Sequence, residues 1–294
     1  MQFGMWDSVF NMLVLILWFR IWTRDGDRNV AFNPYLVPLD RMSGTLLGFL
    51  RPAFFGLPSQ VLSLIVVGFL LAFRGLAVPD KMMWHISMGF ERQAAVSGVW
   101  PGIAFSFLSF GVFLFKIWGV AVIYVRGRGV PSERGDAALC YLSRPLTFLA
   151  VELRPIVLLV MGILLAGAVD AAGQPAIQPT TPGVLATIDW QSIAPGVLVL
   201  KLALIALAGW VQVLNFLSAA MIVLIIGSWI AMFASSQEFV MLCREWTDFL
   251  LGPLRNRPLR VGMLDLTPLI FFFLVGIIYT SLLRLLQAGL SALG

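Results

Sequence analysis

The chain has 294 residues, of which 60% are hydrophobic and only 12% are charged, and its mean hydropathy is +0.92. This composition excludes a water-soluble globular protein and indicates a polytopic membrane protein. The net charge of +5 does not indicate direct binding of nucleic acid, because surplus lysine and arginine in a membrane protein mark its cytoplasmic side.

Apolar runs recur along the chain, and about 20 apolar residues in a helix cross a hydrocarbon core of about 30 Å. We predict six spanning helices, at residues 8–22, 59–77, 103–125, 156–169, 196–234 and 268–286. The segment 32–58 is apolar but broken by four prolines, so we expect short helices that lie at the membrane interface or dip into the membrane. The segment 79–100 mixes Trp, Met and Phe with scattered charge, so we expect it to lie at the interface. Arg74 lies at the end of its span and can extend toward the lipid headgroups, and Lys201 is close enough to the outer end of its span to do the same; we predict no functional role for Lys201.

The run at residues 196–234 is ambiguous. Its 39 residues would make a helix of about 58 Å, so it is either one long helix or a helical pair. With a single crossing, the connectors 23–58, 126–155 and 235–267 face one side and hold, together with Arg20, 14 of the 20 basic residues. Because basic residues stay in the cytoplasm, we predict a single crossing, cytoplasmic connectors and both termini outside.

Each basic connector is then the tip of a helical hairpin. We predict an all-α fold of about six transmembrane helices, arranged as three tandem hairpins with amphipathic or re-entrant cytoplasmic connectors. The predicted units are residues 1–78, 79–195 and 196–294. The second unit includes the one clearly polar loop, residues 170–195, which has no lysine or arginine.

The connectors also resemble one another in sequence. Residues 39–52 match 142–155 at six of fourteen positions, and residues 46–51 match 250–255 at five of six. These matches indicate an internal repeat in which the middle copy has diverged furthest.

One arginine closes each of the leucine-rich turns in these connectors. These arginines are Arg51, Arg154 and Arg255, and in the last connector Arg257 and Arg260 add further positive charge. They are candidate contacts for anionic lipid or for a cytoplasmic partner. The alternative is that they set the topology and extend toward the headgroups.

The last span has a well-marked start. Thr267 is predicted to cap the helix N-terminus, and Pro268 to occupy the first helical position, where its missing N–H is no loss. Asp265 is predicted to act as a cap as well.

Lys116 lies inside the third predicted span, about 13 Å from its basic end. An ionisable residue within a membrane is a candidate functional residue, because an unpaired charge in hydrocarbon is costly. Glu152, in the connector of the same unit, is the partner we expect for it. The alternative that Lys116 only extends toward the headgroups or lines the bundle interior stays open.

Motifs of catalysis and of metal binding are missing from the sequence. It has no phosphate-binding glycine loop, no nucleophile–base pair and no zinc-protease motif, and Cys140 and Cys243 have no metal or disulfide-framework spacing. The single histidine, His85, is most simply an ordinary interfacial residue. We therefore predict a protein that is not an enzyme and that has no cofactor and no metal.

Several short motifs stand in the first and third units, and the two units share the leucine-rich motif that ends in arginine. The motifs are Phe32-Asn33-Pro34 and Leu46-Leu47-Gly48-Phe49-Leu50-Arg51 in the first unit, and Ser228-Trp229, Leu250-Leu251-Gly252-Pro253-Leu254-Arg255, Pro258 and Asp265-Leu266-Thr267-Pro268 in the third. On these motifs the two units resemble the YggT family of small bacterial and plastid membrane proteins. Typical members have two units where this chain has three. The third unit also reads Arg255-Asn256-Arg257 where the family tends to have paired arginines.

This resemblance implies a multi-pass protein of a bacterial cytoplasmic membrane. The family is connected with the assembly of membrane complexes, including cytochrome maturation in plastids, with division and nucleoid placement, and with osmotic tolerance. Two functions are therefore open: a non-enzymatic scaffold or assembly factor, and a transporter or channel for a small solute or ion. The expected partners are membrane lipids, another membrane protein and a second copy of the chain.

Overall fold

The computed structural model describes residues 4–54, 56–77, 83–88, 90–95, 98–126, 134–172, 177–178, 194–233, 237–251, 254, 259–261 and 264–293. Within these ranges the protein is mostly helical, which confirms the predicted class of a helical polytopic membrane protein. The long helices are α1 (Gly4–Trp22), α4 (Ser59–Ala77), α5 (Val99–Arg126), α7 (Arg154–Ala172), α8 (Pro195–Phe233) and α10 (Thr267–Ser291).

Four of these helices, α4, α5, α8 and α10, are long and apolar enough to cross a membrane. The apolar stretches of α1 and α7 are shorter, Val9–Trp22 and Arg154–Val169. Helix α8 runs without a break over 39 residues. It is therefore one long helix, as the charge distribution predicted, and its length of about 58 Å exceeds the thickness of a hydrocarbon core.

The long helices pack as three hairpins. Helix α1 lies against α4, α5 against α7, and α8 against α10. Neighbouring hairpins meet where α4 packs on α5 and where α7 and α5 pack on α8. Helix α5 is thus at the centre of the bundle, and its aromatic residues Phe105 and Phe115 are almost fully buried.

Short helices connect the two arms of each hairpin. The first connector contains α2 (Arg28–Ala31), α3 (Leu36–Leu50) and a 3-10 turn, Arg51–Phe54. The second contains α6 (Arg134–Leu142) and a 3-10 turn, Leu146–Phe148. The third contains α9 (Gln237–Leu251) and, just before α10, a pair of two-residue strands. We call this end of the bundle the connector end.

The segment between α4 and α5 forms strands instead of lying flat at the interface. Strands β1 (Met83–Met88) and β2 (Phe90–Ala95) are an antiparallel hairpin, and β3 (Ile177–Gln178) pairs with the outer side of β2. Ile86 and Met88 are buried in the main core. A Cβ atom built on Gly209 of α8 would lie 3.3 Å from Cγ of Met88.

This contact shows how far the hairpin enters the bundle. Gly209 is 14 residues from Pro195 at the start of α8, or about 21 Å along the helix axis. Strand β1 lies against both α5 and α8. The hairpin is therefore re-entrant from the end opposite the connectors, and its first strand lies against protein helices, the setting in which strands are tolerated at membrane depth.

Candidate functional site

The connectors of all three hairpins meet in one small core at the connector end. The core is made of buried residues from α1, α2, α3 and α6, and the partly buried Trp246 of α9 packs against them. The buried residues are Phe19, Val30, Leu36, Ala138 and Tyr141. These segments are far apart in the sequence, so their packing makes the connectors a single body. We call this cluster the connector junction.

Specific contacts fix the junction between hairpins. The hydroxyl of Tyr141 donates a hydrogen bond of 3.0 Å to Oδ2 of Asp27, and Oδ1 of Asp27 caps α2 by accepting the N–H of Asn29 at 3.0 Å. The rings of Tyr35 and Trp246 meet edge to face with centroids 5.0 Å apart. The first bond joins the second connector to the first, and the ring pair joins the third connector to the first.

Arg144 ties the second connector to the end of α1. Its Nη1 donates to the backbone carbonyl of Trp22 at 2.7 Å, and its guanidinium carbon lies 4.0 Å from the ring centre of Tyr141. The equivalent residue in the sequence alignment, Arg41, is exposed on α3. The two arginines thus share a sequence position but have different surroundings.

A second set of ionic contacts closes the first hairpin. Arg20, at the end of α1, is 8% exposed and pairs with Asp25 and with Asp40 of α3. Ser59, the first residue of α4, donates to both carboxylate oxygens of Asp25 at 3.1 and 3.2 Å. Arg20 therefore neutralises both acids, a role that its use as a topology marker did not suggest.

Two of the predicted arginine contacts have different roles in the structure. Arg51 is exposed at the start of its 3-10 turn, where it is available to lipid or a partner. Arg154 instead closes its own turn, because its Nε and Nη2 donate to the carbonyls of Leu149 and Thr147 at 3.1 Å each. Pro253, Arg255 and Arg257 lie outside the described residues.

The start of α10 differs from the prediction in detail. Thr267 is the first residue of the helix, and the cap position is held by Leu266, which makes no side-chain cap bond. The Thr267 hydroxyl is occupied by another contact, since it accepts the N–H of Leu259 at 3.0 Å. Thr267 is therefore not the cap but a link to the preceding strand pair, and Pro268 is the second helical residue instead of the first.

The strand pair in front of α10 is β4 (Arg260–Val261) with β5 (Leu264–Asp265). Its register places Arg260 opposite Asp265. The side chains of these two residues are outside the described part of the structure, so the predicted capping role of Asp265 stays a prediction.

The two lysines within the spans, Lys116 and Lys201, are buried to different extents. Lys116 is half-buried in α5, beside the fully buried Phe115, and Glu152 is exposed in the turn before α7. The expected pairing of Lys116 with Glu152 stays a prediction. Lys201 of α8 is 6% exposed, so the prediction that it extends to the headgroups is wrong.

The prediction that Arg74 extends toward the headgroups is also wrong, because this side chain is 7% exposed and lies inside the bundle. Its Nη1 donates to Oδ1 of Asp7 and Oδ1 of Asn11 at 2.9 Å, while Nε and Nη2 donate to the hydroxyl and carbonyl oxygens of Ser106 at 2.9 and 2.6 Å. The hydroxyl of Ser109 donates to the other oxygen of Asp7 at 2.6 Å. We call these five residues the α1–α4–α5 polar cluster.

The cluster joins the first two hairpins at the end opposite the connectors. A buried ion pair is tolerated when further hydrogen bonds satisfy both charges, which is the arrangement around Arg74 and Asp7. Its acceptors come from α1 and α5, so α4 cannot rotate or shift without breaking it. The signal available in the sequence was an acid just before the first predicted span, Asp7, together with two serines three residues apart on one face of α5, Ser106 and Ser109.

Among the described residues, no group of three or more His, Cys, Asp and Glu side chains is placed to hold a metal ion. Comparison with curated proteins and with solved structures found no match. Residues 203–286 match the model of the CCB3/YggT family. This region runs from the first third of α8 through α9 into α10. The resemblance to this family seen in the sequence is therefore confirmed over residues 203–286, which lie within the third hairpin.

Proposed function

We propose that the protein is a non-enzymatic scaffold of the bacterial cytoplasmic membrane that organises or assembles a membrane-protein complex. The observation that carries this proposal is the connector junction. Three connectors from distant parts of the chain pack into one body through Tyr141, Tyr35 and Trp246. A rigid surface of this kind suits a protein that positions others, because its geometry is set before a partner arrives.

The exposed residues around the junction support the same role. Phe32 and Phe148 are 82% and 67% exposed, and Arg24 and Arg28 of the first connector are exposed as well. Aromatic residues and arginine are the types enriched where proteins bind one another. The surface therefore has the composition of a docking site for a membrane-protein partner.

The three hairpins are best explained as copies of one ancestral unit. Each has a long helix, a connector with a short helix and a second long helix. Their connectors share the leucine-rich turn ending in arginine, clearest between the first and third copies. Repetition of a two-helix unit in one orientation gives three connectors on one face, which is the arrangement that the scaffold uses.

A labelling experiment tests whether the connectors are cytoplasmic. Cys140 is replaced by serine, and Cys243 is left in place because it is buried and burial raises the pKa of its thiol. Single cysteines introduced in the loop 179–193 should react with a membrane-impermeant thiol reagent in intact cells. Cysteines introduced beside Arg128 and Arg257 should react only after the cells are opened.

The comparison between the last two sites is decisive. Labelling beside Arg257 but not beside Arg128 in intact cells would put the second and third connectors on opposite sides of the membrane. A common junction of the three connectors would then be impossible. The parent chain with only Cys243 serves as the control for background labelling.

A charge substitution tests the scaffold itself. Arg255, Arg257 and Arg260 are replaced together by glutamine, which keeps the connector polar. Each basic residue near an anionic leaflet is worth about 1 kcal/mol, so the three together account for about 3 kcal/mol, or more than a hundredfold in affinity. We expect a correctly inserted protein that loses its co-purifying partners or its preference for anionic lipid, measured by crosslinking in native membranes with mass spectrometry.

A matched control replaces three cations of the opposite end, Lys81, Arg92 and Arg284, by glutamine. This variant should keep its partners. If the connector variant also keeps every partner and every lipid contact, the scaffold assignment fails and those arginines only set the topology.

One observation favours transport as the second candidate. Irregular or extended backbone at membrane depth occurs where it is enclosed by protein or lines a path for solutes, and the re-entrant β-hairpin lies at the level of the half-buried Lys116. A transporter built from the spans should keep its flux in the connector variant. The same experiment therefore separates the two functions.

A further inference from the structure

Helix α3 of the first connector presents three different faces. Leu36, Ser43 and Leu47 are buried, and the helix packs on α1. The apolar residues Met42, Leu46 and Phe49 are 49%, 44% and 81% exposed. Arg41, Gly44 and Gly48 are exposed as well, and a Cβ atom built on either glycine would meet nothing within 4 Å.

The spacing of these residues separates the faces by angle. At about 100° per residue, the three exposed apolar residues lie within an arc of about 60°. The buried residues are centred about 110° from that arc on one side, and the arginine and glycines about 130° from it on the other. The helix therefore has one face for the bundle, one apolar face and one polar face.

This pattern is that of a helix lying in the plane of a membrane surface. An interfacial helix buries an apolar stripe at the boundary between headgroups and acyl chains and keeps its polar face in water. A helix docked only on the bundle would have no reason to expose Phe49 beside Met42 and Leu46. The buried face of α3 packs on α1 and so fixes the rotation of the helix about its axis. The apolar stripe therefore always points in the same direction relative to the bundle.

The charges around the helix select the kind of lipid. Arg41 and Arg51 are both exposed, and they stand just before and just after the stripe in the sequence. The neighbouring acid, Asp40, is paired with Arg20, which also holds Asp25. The exposed charge of this surface is thus positive, and positive charge at a leaflet surface attracts anionic headgroups.

We propose that α3 is an in-plane lipid anchor, with Met42, Leu46 and Phe49 in the acyl boundary and with Arg41 and Arg51 binding the phosphodiester groups of anionic phospholipids. The anchor is independent of the proposed scaffold function, because it rests on the exposed faces of one helix and not on the connector junction. It adds a fixed depth and rotation to the first connector.

Depth measurements along the helix test the apolar stripe. Single cysteines at Met42, Gly44, Leu46, Gly48 and Phe49 are labelled with an environment-sensitive fluorophore in the full chain that carries Cys140→Ser and Cys243→Ser. The protein is reconstituted in phosphatidylcholine vesicles with brominated acyl chains. Probes at positions 42, 46 and 49 should be quenched several-fold more strongly than probes at 44 and 48.

The important result is how quenching varies with position along the helix. Equal quenching at all five positions, or weak quenching at 42, 46 and 49, would overturn the anchor and would leave the stripe for a protein partner. The glycine positions are a matched control, because added side chains meet open space there.

A second measurement tests the choice of lipid. The probe at position 49 is quenched by brominated phosphatidylglycerol or by brominated phosphatidylcholine in mixed vesicles, which gives the relative affinity of the two lipids at that site. The double change Arg41→Gln and Arg51→Gln should lower the preference for phosphatidylglycerol about thirtyfold, because two contributions of about 1 kcal/mol add to about 2 kcal/mol.

Arg284→Gln, at an exposed position of α10, should leave that preference unchanged. An unaltered preference in the double variant would overturn the assignment of Arg41 and Arg51 as the anionic-lipid ligands. Because neither variant touches the third connector, a failed anchor and a failed scaffold give different results.

Discussion

Replacing Arg74 by leucine should lower the free energy of unfolding by about 3–5 kcal/mol, the typical cost of removing one partner from a buried ion pair. The carboxylate of Asp7, whose side chain is 16% exposed, would lose its cation. The acceptors on Asn11 and Ser106 would lose their donor at the same time. Unfolding of the purified protein in lipid nanodiscs, followed by circular dichroism, measures the change.

Two further variants show whether the pairing is the cause. Arg284→Leu makes the same chemical change at an exposed position of α10 and should alter stability by less than about 0.5 kcal/mol. Combining Arg74→Leu with Asp7→Asn should destabilise by clearly less than the sum of the single changes, because both charges leave together. If Arg74→Leu is as stable as Arg284→Leu, the α1–α4–α5 polar cluster does not hold the first two hairpins together.

Gly75→Ala is expected to separate α4 from α5, although it adds a single methyl group. A Cβ atom at Gly75 would lie 2.5 Å from Cα of Ile103 and 2.7 Å from the carbonyl carbon of Gly102. These are backbone atoms, so no side-chain rotation can relieve the overlap. We expect a loss of about 3 kcal/mol, the upper end for overpacking, in the same unfolding measurement.

Gly68→Ala is the matched control in the same helix. A Cβ atom there would meet nothing within 4 Å, so the methyl group fits. Alanine is the better helix former by about 0.5–1 kcal/mol, and this variant should therefore be more stable than the parent. Opposite signs for the two alanines are the expected result. Equal signs would mean that α4 and α5 do not cross at Gly75.

The hairpin architecture could be predicted because it follows from features that are local or cumulative. Apolar runs mark the long helices, and the distribution of arginine along the chain decided that α8 is one helix. Both features can be read along the chain without knowing which helices contact each other. The family motif of the third hairpin was likewise readable from short strings of residues around Arg255 and Pro268.

The candidate sites were harder to predict, because they depend on the rotation of helices about their axes. Arg74 near a helix end can reach either the headgroups or the bundle, and only packing on α1 and α5 decides between them. Thr267 was read as a cap from its place before Pro268, yet its hydroxyl is taken by Leu259 from outside the helix. Contacts of this kind join segments that the sequence alone does not bring together.

The β-hairpin was missed for a different reason. Trp84, Ile86 and Met88 alternate with polar residues, which is the two-residue period of a strand. Charge and aromatic residues in the same segment suggested an interfacial position instead. The alternation was the better signal, because strands need a protected place for their backbone and the interior between α5 and α8 provides one.

The place of this hairpin sets an order of events while the chain is made. Met88 packs against Gly209, which the ribosome adds 121 residues later, since 209 − 88 = 121. At about 5–20 residues per second, the delay is roughly 6–24 s. During that time one wall of the hairpin's site has not been synthesised, and exposed strand edges are not stable in lipid. The hairpin must therefore wait in water or among the headgroups, and the newly inserted α8 completes the bundle around it.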